Sequence, residues 1–167
     1  MRAISLDDAK SLFSYRSDSK ANMFQGWIPK SLDDAVVFIK KTASDFNMAD
    51  TWFQFVIIEK DSKNIIGDIG VHFIDENMQV ELGITLRASS QGNGYANEAL
   101  KTVINHLFFD LKKHRITTSI DPKNHSSIKM IEQLGFRKEA HLLESLYLND
   151  TWVDEYYYSI LNREWNN

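Results

Sequence analysis

Gln91-Gly92-Asn93-Gly94-Tyr95-Ala96 separates two segments of opposite character. Before it, Val80-Glu81-Leu82-Gly83-Ile84-Thr85-Leu86 reads as a strand. After it, residues 97–110 place Ala99, Leu100, Val103, Ile104 and Leu107 at the spacing of an amphipathic helix. A glycine turn that delivers a strand into a helix gathers unpaired backbone N–H groups and the positive end of the helix dipole at one point. Such a point seats an anion, most often a phosphate. Gly92 and Gly94 permit positive φ and close approach of a ligand. No Gly-Lys-Ser/Thr follows, so this is not a Walker loop, and the three spaced glycines of a dinucleotide fingerprint are missing. Alone, the turn fits a plain connector as well as a phosphate seat.

Outward from the turn, the rest of the chain reads as α α β β β α β α β β, with one short strand possible at the start. Ser5 and Ser31 each precede two aspartates and read as helix N-caps. The first helix would bury Ala9, Leu12 and Phe13. The second, running to about Phe46, would bury Ala35, Val36, Phe38 and Ile39. Trp52 to Glu59 and Ile65 to Phe73 form an expected hairpin, and a turn at Glu76-Asn77 leads to the strand at Gln79–Leu86. Arg115–Ile120 is a short strand. Residues 126–134 are a short helix ending at Gly135, and Asn149-Asp150 joins two final strands. This order predicts an α/β (α+β) domain with a mixed, mostly antiparallel sheet of six to seven strands flanked by about four helices.

Composition narrows the class. The 167 residues are enough for one domain with a real core, and no linker or repeat divides residues 1–167. A net charge of −4, from 19 basic and 23 acidic residues, argues against a nucleic-acid surface. There is no cysteine, which removes disulfides, thiolate metal sites and a cysteine nucleophile. The five histidines show no metal spacing, so no metal is expected. Without a signal-like or membrane-length apolar run, a cytoplasmic protein with no membrane association is expected. The sequons at Asn124 and Asn149 are read as chance matches.

A second segment, Asn124-His125-Ser126-Ser127-Ile128-Lys129-Met130-Ile131-Glu132-Gln133-Leu134-Gly135-Phe136, follows the next strand directly. With Gln91-x-x-Gly94-x-Ala96, it resembles the GNAT superfamily of N-acetyltransferases. Gln91 to Leu100, His114-Arg115-Ile116 and the tail Trp152-Val153-Asp154-Glu155-Tyr156 narrow the resemblance to the RimJ/RimL-like branch. The resemblance implies acetyl-CoA as cosubstrate. The turn Gln91-Gly92 with the N–H groups of Asn93, Gly94, Tyr95 and Ala96 would hold its pyrophosphate. The backbone of Ile84, Thr85 and Leu86 would pair with its pantetheine arm, and Asn124 would bond near the thioester. Lys101 or Lys129 would either meet the 3′-phosphate or stay solvated. The family usually has a fuller first strand, so that edge of the sheet is expected to be minimal or cut short.

The expected reaction is direct attack of a primary amine on the thioester. It needs proximity, a polarised carbonyl, a proton acceptor and protection of the leaving thiolate. Many superfamily members place a tyrosine four residues before the Gly-Phe pair, where this chain has Ile131. Ser127, one helical turn earlier, either donates to the sulfur or bonds its own helix backbone. Glu81 is the preferred proton acceptor, with Glu98, His72 or water as alternatives. Trp27, in the loop between the first two helices, is the candidate acceptor contact. The amine would belong to a protein N-terminus, or to a polyamine or aminoglycoside. A CoA-binding module without turnover is the alternative of another class. Either a monomer or a homodimer is expected.

Overall fold

The computed structural model describes residues 1–74, 78–148 and 150–165; the expected turn at Glu76-Asn77 and the hairpin residue Asn149 lie outside the described residues. Local signals set the first two helices. Ser31 caps α2 (Leu32–Lys41) through a capping box: its Oγ accepts the Asp34 N–H at 3.1 Å, and the Asp34 carboxylate accepts the Ser31 N–H at 2.9 Å. Ser5 and Asp8 make a similar arrangement around a single 3₁₀ turn, from which α1 (Ala9–Arg16) continues. α2 stops at Lys41, short of the expected end near Phe46, because Thr42 turns to an extended ψ of 148°. Phe46 instead packs among Phe53, Phe55 and Phe73, with ring centroids 5.0–5.2 Å away. Burying the ring there outweighs one more turn of helix.

The strands are β1 (Arg2–Ala3), β2 (Trp52–Ile58), β3 (Ile65–Ile74), β4 (Gln79–Leu86), β5 (Arg115–Ile120), β6 (Arg137–Leu148) and β7 (Thr151–Leu161). They form one seven-stranded sheet in the order β1-β2-β3-β4-β5-β7-β6. Every pairing is antiparallel except β4 with β5, which gives the mixed, mostly antiparallel sheet expected from the sequence. α3 (Tyr95–Asn105) begins two residues earlier than the apolar pattern suggests. Its end loosens into a π turn, His106–Asp110, where the Leu111 N–H donates to the His106 carbonyl at 3.1 Å. α4 (His125–Gln133) ends just before Gly135, whose φ of +87° is the left-handed stop that glycine allows.

Alternation divides β3 between two faces. Ile69, Val71 and Phe73 join the main core with Leu100, Val103, Ile104 and Leu107 of α3. Asp68 and His72 point the other way, to the face where Asp68 meets α1 and its neighbour α2. Those two helices pack on each other through Ala9, Leu12, Ala35 and Ile39. Asp68 fixes them to the sheet: its carboxylate accepts from the Tyr15 hydroxyl at 2.6 Å, Arg16 Nε at 3.1 Å, Arg16 Nη2 and Gln54 Nε2. Burial, reinforced by the neighbouring carboxylate, pushes the Tyr15 phenol far up, so it remains a donor. The Asn22 side chain then donates to the Tyr15 carbonyl at 2.7 Å, which anchors the loop leaving α1. No helix among the described residues is long and apolar enough to cross a membrane.

Candidate active site

The turn between β4 and α3 has the backbone of an anion seat. Gly92 and Gly94 have φ of +77° and +83°, and Gly94 is the N-cap of α3. The first helical bond runs from the Glu98 N–H to the Gly94 carbonyl at 3.1 Å. The N–H groups of Tyr95, Ala96 and Asn97 precede it and have no partner in the helix ladder. A Cβ built on Gly92 or Gly94 would meet nothing within 4 Å, so both glycines face open space. Side chains fasten the turn: Gln91 Nε2 donates to the Leu86 carbonyl and Asn93 Nδ2 to the Gln91 carbonyl, each at 3.2 Å. Tyr95 donates its hydroxyl to Glu59 at 2.7 Å, which ties the helix start to the residue that follows β2 and pushes the phenol up. Its contribution to the seat is therefore its backbone.

The sheet opens beside this seat. β4 pairs with β5 only over Gln79–Glu81, against Arg115–Thr117. Its pairing with β3 continues to Leu86. From Gly83 onward β4 therefore shows an unpaired edge toward the gap. A cleft of about 620 Å³ runs along it, lined by Ile84, Thr85, Leu86, Gln91, Gly92, Gly94, Tyr95, Ala96, Asn97, Asn124 and Ser127, with Ala21, Asn22, Phe24 and Gln25 of the α1–α2 loop opposite. Two buried polar atoms that lack a hydrogen-bond partner, Thr85 Oγ1 and Asn97 Oδ1, belong to residues of this same cleft. An elongated ligand with phosphates at one end and amides along its length suits such walls: N–H groups for the first, a free strand edge and orphaned acceptors for the second. Lys129 lines the cleft too, whereas Lys101 does not.

A second cleft, of about 440 Å³, lies across the gap. The two share Phe24, Gln25, Ile84, Asn124, Ser127 and Met130, so they meet where β4 and β5 part. Asn124 caps α4, its Oδ1 accepting the Ser127 N–H at 3.2 Å. The Ser127 hydroxyl has no protein partner among the described residues, so it is not engaged by its helix backbone. Ile131, one turn on, is buried in the main core. Glu81 enters the second cleft, 3.5 Å from Nδ1 of His72, whose ring stacks on Trp52 at 4.6 Å. Glu98 lines neither cleft and is an exposed first-turn acid.

Trp27 is placed elsewhere than expected. It stacks on Phe38 of α2 at 4.4 Å, with the Arg16 guanidinium 5.7 Å from its ring centre, and lines neither cleft. The loop reaches the site through Phe24, Gln25 and Gly26 instead, and Gln25 Nε2 lies 3.5 Å from the Ile84 carbonyl. The sequence also gave no sign of Asp154 and Glu155 as wall residues. They line the second cleft from β7, beside a bulge in β6 between Leu142 and Leu146. In that bulge the Glu144 N–H donates to Asp154 at 2.9 Å and Ser145 Oγ to Glu155 at 2.9 Å. The Glu144 N–H and His141 together hold the Asp154 carboxyl below its usual range. With Glu81 and Asp121, four carboxylates line this cleft, and its walls include no lysine or arginine. No group of three or more His, Asp or Glu side chains among the described residues is arranged to hold a metal ion.

Comparison with known proteins agrees with this geometry. A family profile described as Acetyltransferase (GNAT) domain matches residues 1–137. The uncharacterized N-acetyltransferase p20 of Bacillus licheniformis is 30% identical over 166 residues, covering 99% of this chain and 93% of that one. The crystal structure of a GNAT-family acetyltransferase from Bacillus anthracis superposes with a TM-score of 0.87 at 26% identity, covering 98% of this chain and 94% of that one. A spermidine N-acetyltransferase from Vibrio cholerae, crystallised with CoA and spermine, shares the fold with a TM-score of 0.85 at 22% identity, covering 99% and 96%. A strand that parts from its parallel neighbour beside a glycine-built helix start, in a chain matched by that profile over most of its length, places this protein in the GNAT family of acetyltransferases.

Proposed function

We propose that the chain transfers the acetyl group of acetyl-CoA to a primary amine, and that the amine is cationic, of the polyamine kind. The observation that carries the acceptor is the second cleft, whose walls hold Glu81, Asp121, Asp154 and Glu155 and no basic side chain. Four carboxylates on a cleft wall concentrate a cation and orient it. A protein N-terminal amine is the second reading, favoured by the likeness of Gln91 to Leu100 and His114 to Ile116 to RimJ/RimL-like sequences.

When bound, acetyl-CoA supplies a thioester whose carbonyl carbon takes direct attack by the neutral amine, forming the C–N bond and breaking the C–S bond. The N–H groups from Asn93 to Ala96 hold the phosphates, and the open edge of β4 from Ile84 to Leu86 holds the arm. Asn124 and Ser127, where the clefts meet, face the reacting end. The unpaired Ser127 hydroxyl donates to the departing sulfur. Glu81 receives the proton that the amine gives up, and the neighbouring His72 offers that proton a route outward.

Saturating acetyl-CoA, at about a hundred times its Kd, is expected to raise the melting temperature by about 5–10 °C. No shift would contradict the cofactor reading. Ser127→Ala and Glu81→Gln are each expected to lower kcat by about 100-fold with little change in KM for acetyl-CoA. Steady-state kinetics of thiol release check this. An unchanged kcat in both variants would remove both side chains from the chemistry and leave it to proximity and solvent.

A further inference from the structure

We propose that the amine acceptor carries a second ammonium group, and that Trp52 and Gly83 form the subsite for it. The aliphatic stem between the two nitrogens crosses the sheet over Gly83, and the second cation rests against the Trp52 indole. This rests on the reading of the second cleft as the acceptor site. On the sheet face that carries Asp68, side chains stand in cross-strand rows. One row is Trp52, His72 and Glu81, and the row beside it is Gln54, Gly70 and Gly83. Two of the three strands bring no side chain to the second row, which leaves a trough in the sheet. A Cβ built on Gly83 would meet nothing within 4 Å, and Gly83 lines the second cleft, so the trough is open to it. Trp52 lines the same cleft.

The indole is held from two sides. Its ring stacks on His72 at 4.6 Å. A Cβ on Gly70 would lie 3.0 Å from its Cζ3 and 3.2 Å from its Cε3, so the edge of the ring leans into the trough only because Gly70 has no side chain. Trp52 is nevertheless 42% exposed. An electron-rich apolar surface, fixed in a cleft whose walls carry four carboxylates and no lysine or arginine, fits a cation on an aliphatic stem. The carboxylates supply the charge, and the ring and trough supply a contact that an acceptor with one nitrogen lacks. Reach sets the length of the stem. The two clefts meet at the edge of β4, at Ile84. Trp52 stands two strands away, about 10 Å, and its ring leans back toward β3. The two nitrogens are then roughly 5–10 Å apart, a span that an extended diamine of about four to six carbons covers.

The test follows free thiol with acetyl-CoA and straight diamines of four and six carbons, each against the monoamine of the same length. Wild-type protein is expected to use the diamine with a kcat/KM about tenfold or more above that of its monoamine. Trp52→Ala is expected to cut that ratio by about tenfold, chiefly through KM for the diamine. Trp52→Phe should restore most of it, because the ring face and not the indole N–H holds the cation. Gly83→Val fills the trough without meeting a neighbour, and is expected to raise KM for the diamine by about tenfold with KM for acetyl-CoA little moved. Equal use of diamine and monoamine by the wild type, a ratio unchanged in Trp52→Ala, or a diamine KM unchanged in Gly83→Val overturns the subsite and leaves acetyl transfer standing. Thiol release with none of the amines overturns acetyl transfer as well.

Discussion

Replacing Asp68 with alanine is expected to lower the stability of the fold by about 3–5 kcal/mol, the usual cost of leaving a buried charge without its partner. Asp68 is fully buried and Arg16 is 8% exposed, so neither water nor another carboxylate replaces the lost group. Tyr15, Arg16 and Gln54 all donate to its two oxygens. Without them the guanidinium, the phenol and the carboxamide lose a common acceptor. The effect reaches the site, because Tyr15 holds Asn22 and the loop after it supplies Phe24 and Gln25 to both clefts. Urea unfolding is the direct measurement, and thermal unfolding should show a fall of about 10 °C or more. KM for acetyl-CoA is expected to rise in the same variant. A loss below about 1 kcal/mol would put this network among surface ion pairs of little weight.

Replacing Gly94 with valine is expected to weaken acetyl-CoA binding by about 100-fold or more while leaving most of the stability intact. At φ +83°, a β-branched residue is strained, and relief of that strain turns the N–H groups of Tyr95 and Ala96 away from the phosphates. Losing two hydrogen bonds to a charged group, at about 1.5–3 kcal/mol each, accounts for a factor of that size. Nothing in the protein lies within 4 Å of a Cβ at this position, so the fold itself is not crowded and the new side chain projects into the space the ligand needs. Calorimetric titration with acetyl-CoA measures the loss. An unchanged Kd would mean that the turn is only a connector.

Where the deciding interactions are local, the sequence is a good guide. Ser31 and Asp34 lie three residues apart and close their capping box regardless of what surrounds them. Gly94 and Gly135 announce a helix start and a helix stop because few other residues accept their φ. The sheet was legible for the same reason: the β-branched runs are short and bounded by polar turns. The gap between β4 and β5 was not legible, since it depends on where two strands distant in sequence stop pairing. Nothing in Val80–Leu86 itself marks Glu81 as the last residue paired with β5.

Side-chain roles set by distant partners were the least readable. Trp27 looked like an acceptor contact because it sits in the right loop, but a flat ring of Phe38 lies close by on α2 and stacking there is the better use of its surface. Asp68 falls in a strand where an acid ordinarily faces solvent, and only α1 laid across the sheet makes it a buried anchor. Asp154 and Glu155 line the second cleft beside a bulge in β6, and no residue type between Leu142 and Leu146 signals that bulge beforehand. Ser127 and Ile131, by contrast, were placed on the same side of one helix by their spacing, and both line the second cleft.

In the proposed function a CoA thioester occupies the first cleft and a cationic primary amine the second. Free thiol should therefore be followed with acetyl-CoA against a panel of a polyamine, an aminoglycoside, peptides with free N-termini and neutral amines. The expected result is saturable thiol release with the polyamine at the highest kcat/KM, reduced by Asp154→Asn and Glu155→Gln chiefly through KM for the amine. Saturable CoA binding with no thiol release from any amine, or preference for a neutral amine, would contradict it.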